Sequence, residues 1–381
     1  MKELGIYIHI PFCKQKCYYC DFISYANKGE KVKEYIECLQ KEIEIESNGY
    51  KNEEYKITTI YIGGGTPSFI DALYIERIIN TIKQNYKLYE KPEITIEVNP
   101  GTINEEKIEK YKEIGINRIS IGLQTTNDKL LKQIGRIHTY EEFLNCYKLV
   151  SKSKINNVNV DLMLALPNQT IEDLEESLQK VINLKPNHIS LYSLILEEDT
   201  KLEEMVNKNE VKLPSEDIER RMYWNVKKIL EENEYIHYEI SNFAKKGFES
   251  KHNMNCWNQK EYLGFGIAAH SYIKNKRYCN TNNIEEYIKN VKSNNLINNR
   301  TICEVQNKIE EQKEYMLLGL RKTQGIDIQE FKNKFIDNPI YIFHKELEKL
   351  VKEELIEIDL NQIRLTSKGL DFANLVWEEF V

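Results

Sequence analysis

Cys13, Cys17 and Cys20 place three thiols within eight residues. As thiolates, three can ligate three irons of a cubane and leave the fourth iron open for chemistry. Bacterial-type cluster runs supply four cysteines and a structural zinc also takes four ligands, so a set of three is itself a signal. Two other readings stand beside it: incidental thiols, or a zinc site completed by a distant ligand such as His9. The remaining cysteines, Cys38, Cys146, Cys256, Cys279 and Cys303, are scattered without a second ligand-like pair and read mostly as small buried hydrophobes.

These thiols follow an apolar run at 6–10, the first of a series of short β-branched segments at 57–62, 94–98, 118–122, 158–164 and 188–194. Amphipathic stretches at 31–47, 70–85, 105–114, 140–153 and 171–184 alternate with them. Two-residue period giving way to 3.6-residue period is the pattern of βα units around a parallel sheet, and six units predict an α/β fold, an open, partial (β/α)6 barrel. The barrel domain is expected over 1–295. Beyond 300 the pattern changes to helices at 307–320, 328–335, 343–354 and 367–380 around a hairpin of 355–359 and 363–365, which predicts a winged-helix-like α+β domain over 300–381.

The 381 residues carry 53 basic and 60 acidic side chains, a formal net charge of -7, which argues against a protein held to nucleic acid by phosphate contacts. Residues 301–381 alone hold 11 Lys/Arg against 16 Asp/Glu, a balance of -5, so the winged-helix pattern lacks the footprint of DNA binding. No window approaches the length of an apolar membrane span, and the N-terminus shows no secretory pattern. A cytoplasmic, reducing setting is the expectation.

The polar and glycine-rich oddities fall at the C-terminal ends of the candidate strands, the face that carries active sites in βα barrels. Gly63-Gly64-Gly65-Thr66-Pro67-Ser68 follows the second strand, Glu97-Val98-Asn99-Pro100 ends the third, Gly122-Leu123-Gln124 ends the fourth and Asp161 lies in the fifth. Without Cβ atoms, the glycine run lets backbone N–H and C=O groups reach a ligand directly. Glu97 can accept from a hydroxyl or an amine, or it is only a solvated strand-end carboxylate.

Residues 5–13, 63–68 and 115–124, together with Gly135-Arg136 and Asp161-Leu162-Met163, resemble the oxygen-independent coproporphyrinogen III oxidase family of radical S-adenosylmethionine (SAM) enzymes, and the HemW-type heme chaperones within it most of all. The resemblance runs over nearly the whole chain. It implies a [4Fe-4S] cluster on Cys13, Cys17 and Cys20, with the methionyl group of SAM completing the open iron. It also implies SAM contacts at Tyr7, Gly64, Gly65, Thr66, Glu97, Gln124, Arg136 and Asp161. The planar fork of Arg136 suits a methionine carboxylate.

Three features favour a heme chaperone over a coproporphyrinogen-decarboxylating enzyme within that family. The oxidases carry a further cysteine where Phe22 stands, and an N-terminal extension where only 12 residues precede Cys13. Ser250-Lys251-His252-Asn253-Met254-Asn255-Cys256-Trp257 resembles the HNxxYW signature of the chaperones, with Cys256 in place of tyrosine. His252 is the first candidate for heme contact and Cys256 the second. The implied partners are heme and recipient hemoproteins, respiratory enzymes among them, approached at the membrane from outside it. Ala165 and Asn168 stand where the family favours glycine, and Asn168 at positive φ would preserve the turn.

Overall fold

The computed structural model describes residues 2–50 and 55–381. Its first six strands are β1 (Lys2–Ile10), β2 (Tyr55–Gly64), β3 (Leu88–Val98), β4 (Arg118–Gln124), β5 (Asn157–Leu164) and β6 (His188–Ser193). They lie side by side in sequence order and all neighbours are parallel. Helices Val32–Ser47, Ala72–Asn85, Glu105–Glu113, Tyr140–Lys152 and Ile171–Leu184 make the crossovers, so the six expected βα units form. Their starts follow from local chemistry. Asp71, Asn104, Thr139 and Thr170 each cap the first backbone N–H groups of a helix, and the last two do so in reciprocal capping boxes.

The sheet does not stop at six strands. Strands β7 (Ile236–Glu239), β8 (Asn242–Ala244), β9 (Tyr262–Phe265), β10 (His270–Ile273), β11 (Lys276–Asn280) and β12 (Arg300–Val305) extend it to the order β12-β11-β10-β9-β1-β2-β3-β4-β5-β6-β8-β7. β9 returns to pair parallel with β1, whereas the outer strands on both edges are antiparallel. These strands are only three to six residues long and carry no sustained period, and the sequence reading therefore assigned them no elements. Helices Lys201–Asn207 and Glu216–Glu232 fill the stretch before them.

A second core gathers Tyr315, Phe331, Phe335, Leu347, Ile363, Val376 and their neighbours. Its helix Ile328–Phe335 has the expected bounds, and the hairpin forms from β14 (Ile356–Ile358) and β15 (Gln362–Leu365). β13 (Ile326–Asp327) adds a third strand, while the expected helix at 367–380 breaks at Phe372 into Ser367–Asp371 and Ala373–Glu378. No helix among the described residues is long and apolar enough to cross a membrane.

The turn after β5 carries the family departures at Ala165 and Asn168, and both take left-handed backbone, φ 61° and 58°. Asn tolerates this conformation, whereas the Cβ of Ala165 crowds its own carbonyl at about 1–2 kcal/mol. Ala165→Gly relieves that crowding and gives back part of it in unfolded-state entropy, so it should raise unfolding free energy by about 0.5–1 kcal/mol in urea titration. An unchanged or lower midpoint would contradict the strain.

Candidate active site

Alternation along the strands decides what the barrel encloses. On β1–β6 the aliphatic side chains Ile6, Ile8, Ile60, Ile62, Ile94, Ile96, Ile119, Ile121, Val158 and Val160 are buried in the core they share with the surrounding helices. The intervening positions Thr59, Glu93, Thr95, Arg118, Ser120, Asn159, His188 and Ser190 are also buried, and they fill the interior with polar groups. Such groups must be paired, and they form a ladder. Ser120 Oγ and Asn159 Nδ2 donate to Asp161 at 3.1 and 2.7 Å, Asn159 Oδ1 meets His188 Nδ1 at 2.6 Å, and His188 Nε2 meets the Tyr238 hydroxyl at 2.7 Å.

At the C-terminal end of the strands this interior opens into a cavity of about 370 Å³. Ten of the eleven cluster and SAM candidates line it: Cys13, Cys17, Cys20, Gly64, Gly65, Thr66, Glu97, Gln124, Arg136 and Asp161. Tyr7 does not. Its hydroxyl lies 3.0 Å from His9 Nδ1, and its ring stacks at 6.3 Å on Tyr61, which itself reaches the cavity. Asn99, from the strand-end run 97–100, also lines the space, and so do Tyr61, Ser120 and Tyr192, which the sequence reading did not single out. Their signal was present: Tyr61 and Ser120 share the inward face with Gly63 and Gly122, two residues away.

The cysteine loop is strapped to the end of β2. Gly65 N–H donates to the Ile10 carbonyl at 2.9 Å and Thr66 N–H to the Phe12 carbonyl at 2.8 Å, while Cys13 N–H donates to Tyr25 O at 3.0 Å. A Cβ on Gly65 would stand 2.8 Å from Cys13 Sγ and one on Gly64, at φ 115°, 2.8 Å from the His9 ring. Glycine is required at both by close approach.

Arg136 joins the loop to the strands. Its Nη2 donates to Asn99 Oδ1 at 2.9 Å and to the Gly122 carbonyl, and its Nη1 reaches Cys17 Sγ at 3.6 Å. Asn99 Nδ2 donates to Thr66 Oγ1 at 2.9 Å, closing the ring of contacts. Arg136 Nε is buried without a partner. Gln124 sits at φ 73° beyond a register irregularity in the β4–β5 ladder, which turns the strand end toward the cavity.

Burial pushes the Cys13 and Cys20 thiols up, Cys20 to about 11, so metal must displace their protons. Burial also pushes Glu97 up to about 7, with the nearby Asp161 carboxylate adding to it and the Tyr61 hydroxyl, donating at 2.8 Å, opposing it. Asp161 is likewise raised by burial.

Residues 7–181 match the Radical SAM superfamily model and residues 306–372 the HemN C-terminal domain model. The chain is 39% identical to the heme chaperone HemW of Lactococcus lactis over 380 residues, all of this chain and 98% of that one. The chain belongs to the HemW family of radical SAM proteins. A second relative, the heme chaperone HemW of Bacillus subtilis, is 35% identical over 98% of each chain. The fold matches coproporphyrinogen III oxidase (HemN) from Escherichia coli at a TM-score of 0.86 and 21% identity, covering all of this chain and 90% of that one.

Radical SAM membership implies a [4Fe-4S] cluster and SAM. The cavity fits them: three cysteines converge on it, a glycine edge leaves room beside Cys13, and an unpartnered buried guanidinium N–H awaits an acceptor.

The heme candidate His252 lies elsewhere. It is only 8% exposed, its Nδ1 is 2.9 Å from Thr59 Oγ1, its ring packs on Tyr61 at 5.2 Å, and its backbone N–H donates to Glu93 at 3.0 Å. It begins the helix Lys251–Trp257, which closes the barrel interior around Thr59 and Glu93. Its imidazole is thus buried against Thr59 and Tyr61 and does not line the barrel cavity. Cys256 is half-buried on the same helix. One correction concerns the scattered thiols: Cys38 and Cys146 are buried as expected, but Cys279 and Cys303 approach to 3.3 Å.

Because its folded value lies above the ordinary 4.5, Glu97 binds a proton more tightly folded than unfolded. Its contribution is full below pH about 4.5 and is lost as pH rises through about 7. Glu97→Gln should therefore flatten the fall in stability of the ligand-free protein across that window, read by denaturation at a series of pH values; a parallel pair of curves would exclude it.

Proposed function

We propose that this chain is a heme chaperone that carries a [4Fe-4S] cluster and SAM at the barrel mouth and passes heme to recipient hemoproteins. Cys13, Cys17 and Cys20 would hold three irons of the cluster and leave the fourth for SAM. When bound, the cluster supplies one-electron chemistry at SAM. Gly64, Gly65 and Thr66 offer backbone to the methionyl group, Arg136 turns its free Nε–H toward its carboxylate, and Glu97, Gln124 and Asp161 accept from its amine and ribose. Tyr7 acts one layer removed, by fixing Tyr61 and through it Glu97.

The observation that carries the reading is the rim. Phe22 lines the cavity and is 61% exposed, an apolar ring where the oxidases resembled by this sequence carry a further cysteine. An exposed aromatic at an active-site mouth is suited to a flat apolar ligand. The names of the relatives that match this chain along its length point the same way. The division into a barrel over 1–295 and a second domain from 300 is part of the proposal, with the second domain serving as lid or partner surface.

Reconstituted anaerobically, the protein should hold about four irons per chain, and Cys17→Ala should lose them. With cluster, SAM and reductant supplied, it should bind heme and leave coproporphyrinogen III unconverted; multiple turnovers to protoporphyrinogen IX would replace the chaperone by the oxidase.

We further propose that His252 plugs the barrel interior rather than ligating heme iron, and His252→Ala tests this separately. Loss of its buried hydrogen bond should cost about 1–3 kcal/mol of stability, while the absorption spectrum of bound heme stays as in the parent protein. A changed Soret band with unchanged stability would return the imidazole to the iron.

A further inference from the structure

The far edge of the large sheet brings together three soft donors that lie apart in sequence. His270 on β10 stands directly opposite Cys279 on β11 in the antiparallel ladder. Cys279 in turn stands opposite Thr301 on β12, and Cys303, two residues further, faces the same side. Cys303 falls at the ladder's irregularity between Arg277 and Tyr278, which lets its Sγ approach Cys279 Sγ to 3.3 Å. One imidazole nitrogen and both sulfurs all lie within 4.8 Å of one another. His270 and Cys303 are exposed and Cys279 is half-buried, so the group is open to solvent, and none of the three lines the barrel cavity.

We propose that His270, Cys279 and Cys303 form a surface site for a thiophilic d10 cation of the zinc(II) class, distinct from the cluster. Tetrahedral zinc, with bonds of about 2.3 Å to sulfur and 2.0–2.1 Å to nitrogen, holds its ligand atoms roughly 3.3–3.8 Å apart, a spacing these side chains reach by small rotations. The ordinary explanation of an unpaired cysteine, a small buried hydrophobe, holds for Cys38 and Cys146 but not for exposed Cys303. A disulfide between the two thiols is the alternative at this separation, but it would leave His270 without a role. On binding, the two thiols release two protons to solvent, the neutral imidazole donates its lone pair, and the fourth position stays with water.

The site has a mechanical consequence. β12 is the outermost strand and pairs only with β11 in the sheet, and Gln306 and Asn307 separate it from the helix Lys308–Gly319 that enters the second core. A cation bridging β10, β11 and β12 would pin the strand through which the barrel is joined to the C-terminal unit.

The test uses the full chain with its cluster reconstituted, so that iron occupies Cys13, Cys17 and Cys20. Zinc(II) is titrated against a chromophoric chelator, and cobalt(II) is substituted to read thiolate charge-transfer bands. The parent should take up one zinc per chain, and C303S and H270A should each weaken it by more than the roughly tenfold that losing an outer partner alone brings. Iron content and heme binding should not change in either variant, which separates this site from the proposed function. Equal zinc uptake by the parent and by C279S/C303S would overturn the proposal, as would a Cys279–Cys303 disulfide, two mass units lighter, in anaerobically prepared protein.

Discussion

A two-residue period held in register across β1–β6 is the constraint on which the rest depends. Aliphatic residues at Ile60, Ile96, Ile121 and Val160 meet the helices, while Thr59, Glu97, Ser120 and Asp161 point inward. A slip of one residue in any strand would exchange the two sets, leaving charges against the helices and isoleucines in the cavity. The register therefore fixes the fold and the site with the same set of contacts. The polar interior is stable because its members are joined from Asp161 through Asn159 and His188 to Tyr238, whose hydroxyl accepts from the Ser250 N–H at 3.2 Å. Ser250 caps the helix that brings in His252, and Glu93 accepts that helix's N-terminal N–H groups. Mouth and plug belong to one network.

At the mouth, the backbone carries the precision. The thiol loop has little regular structure, yet two hydrogen bonds from Gly65 and Thr66 to its stem at Ile10 and Phe12 seat it on the end of β2. Arg136 then ties Cys17 to Asn99 and to the Gly122 carbonyl. The same positive charge pulls the Cys13 thiol down, opposing the burial that pushes it up. The same guanidinium is thus both a structural bridge and an electrostatic preparation for metal.

Much of this was legible in the sequence, for particular reasons. Six strands and five helices announced themselves because β-branched runs and capped amphipathic stretches each satisfy a local rule. Cys13, Gly65 and Glu97 stand where motif residues cluster after strand ends, whereas Arg136 came only with the resemblance. What stayed hidden was set by distant pairing. β7–β12 are too short to show a period, and β9 gains its place by pairing with β1 across the chain. His252 carried a recognisable motif, but its burial depends on Thr59 and Glu93, far away in sequence. The approach of Cys279 to Cys303 likewise exists only because β11 and β12 are neighbours.

The electrostatics of the cavity bear on what it is for. Glu97 and Asp161 share a desolvated space, and burial raises both, so the ligand-free site carries carboxyls that resist ionisation. The cation that opposes this for both is the buried Arg118, while Arg136 at the mouth is spent in part on Asn99, Gly122 and Cys17. A ligand bearing both a cation and a carboxylate resolves each imbalance at once: its cation lets the carboxyls ionise, and its carboxylate meets the remaining guanidinium N–H. A zwitterionic sulfonium amino acid has that charge pattern, whereas a porphyrin, with propionates and no fixed cation, has only half of it. Flat apolar cargo is better suited to the rim around Phe22 than to the charged interior, which places the two proposed ligands on adjoining but chemically different surfaces.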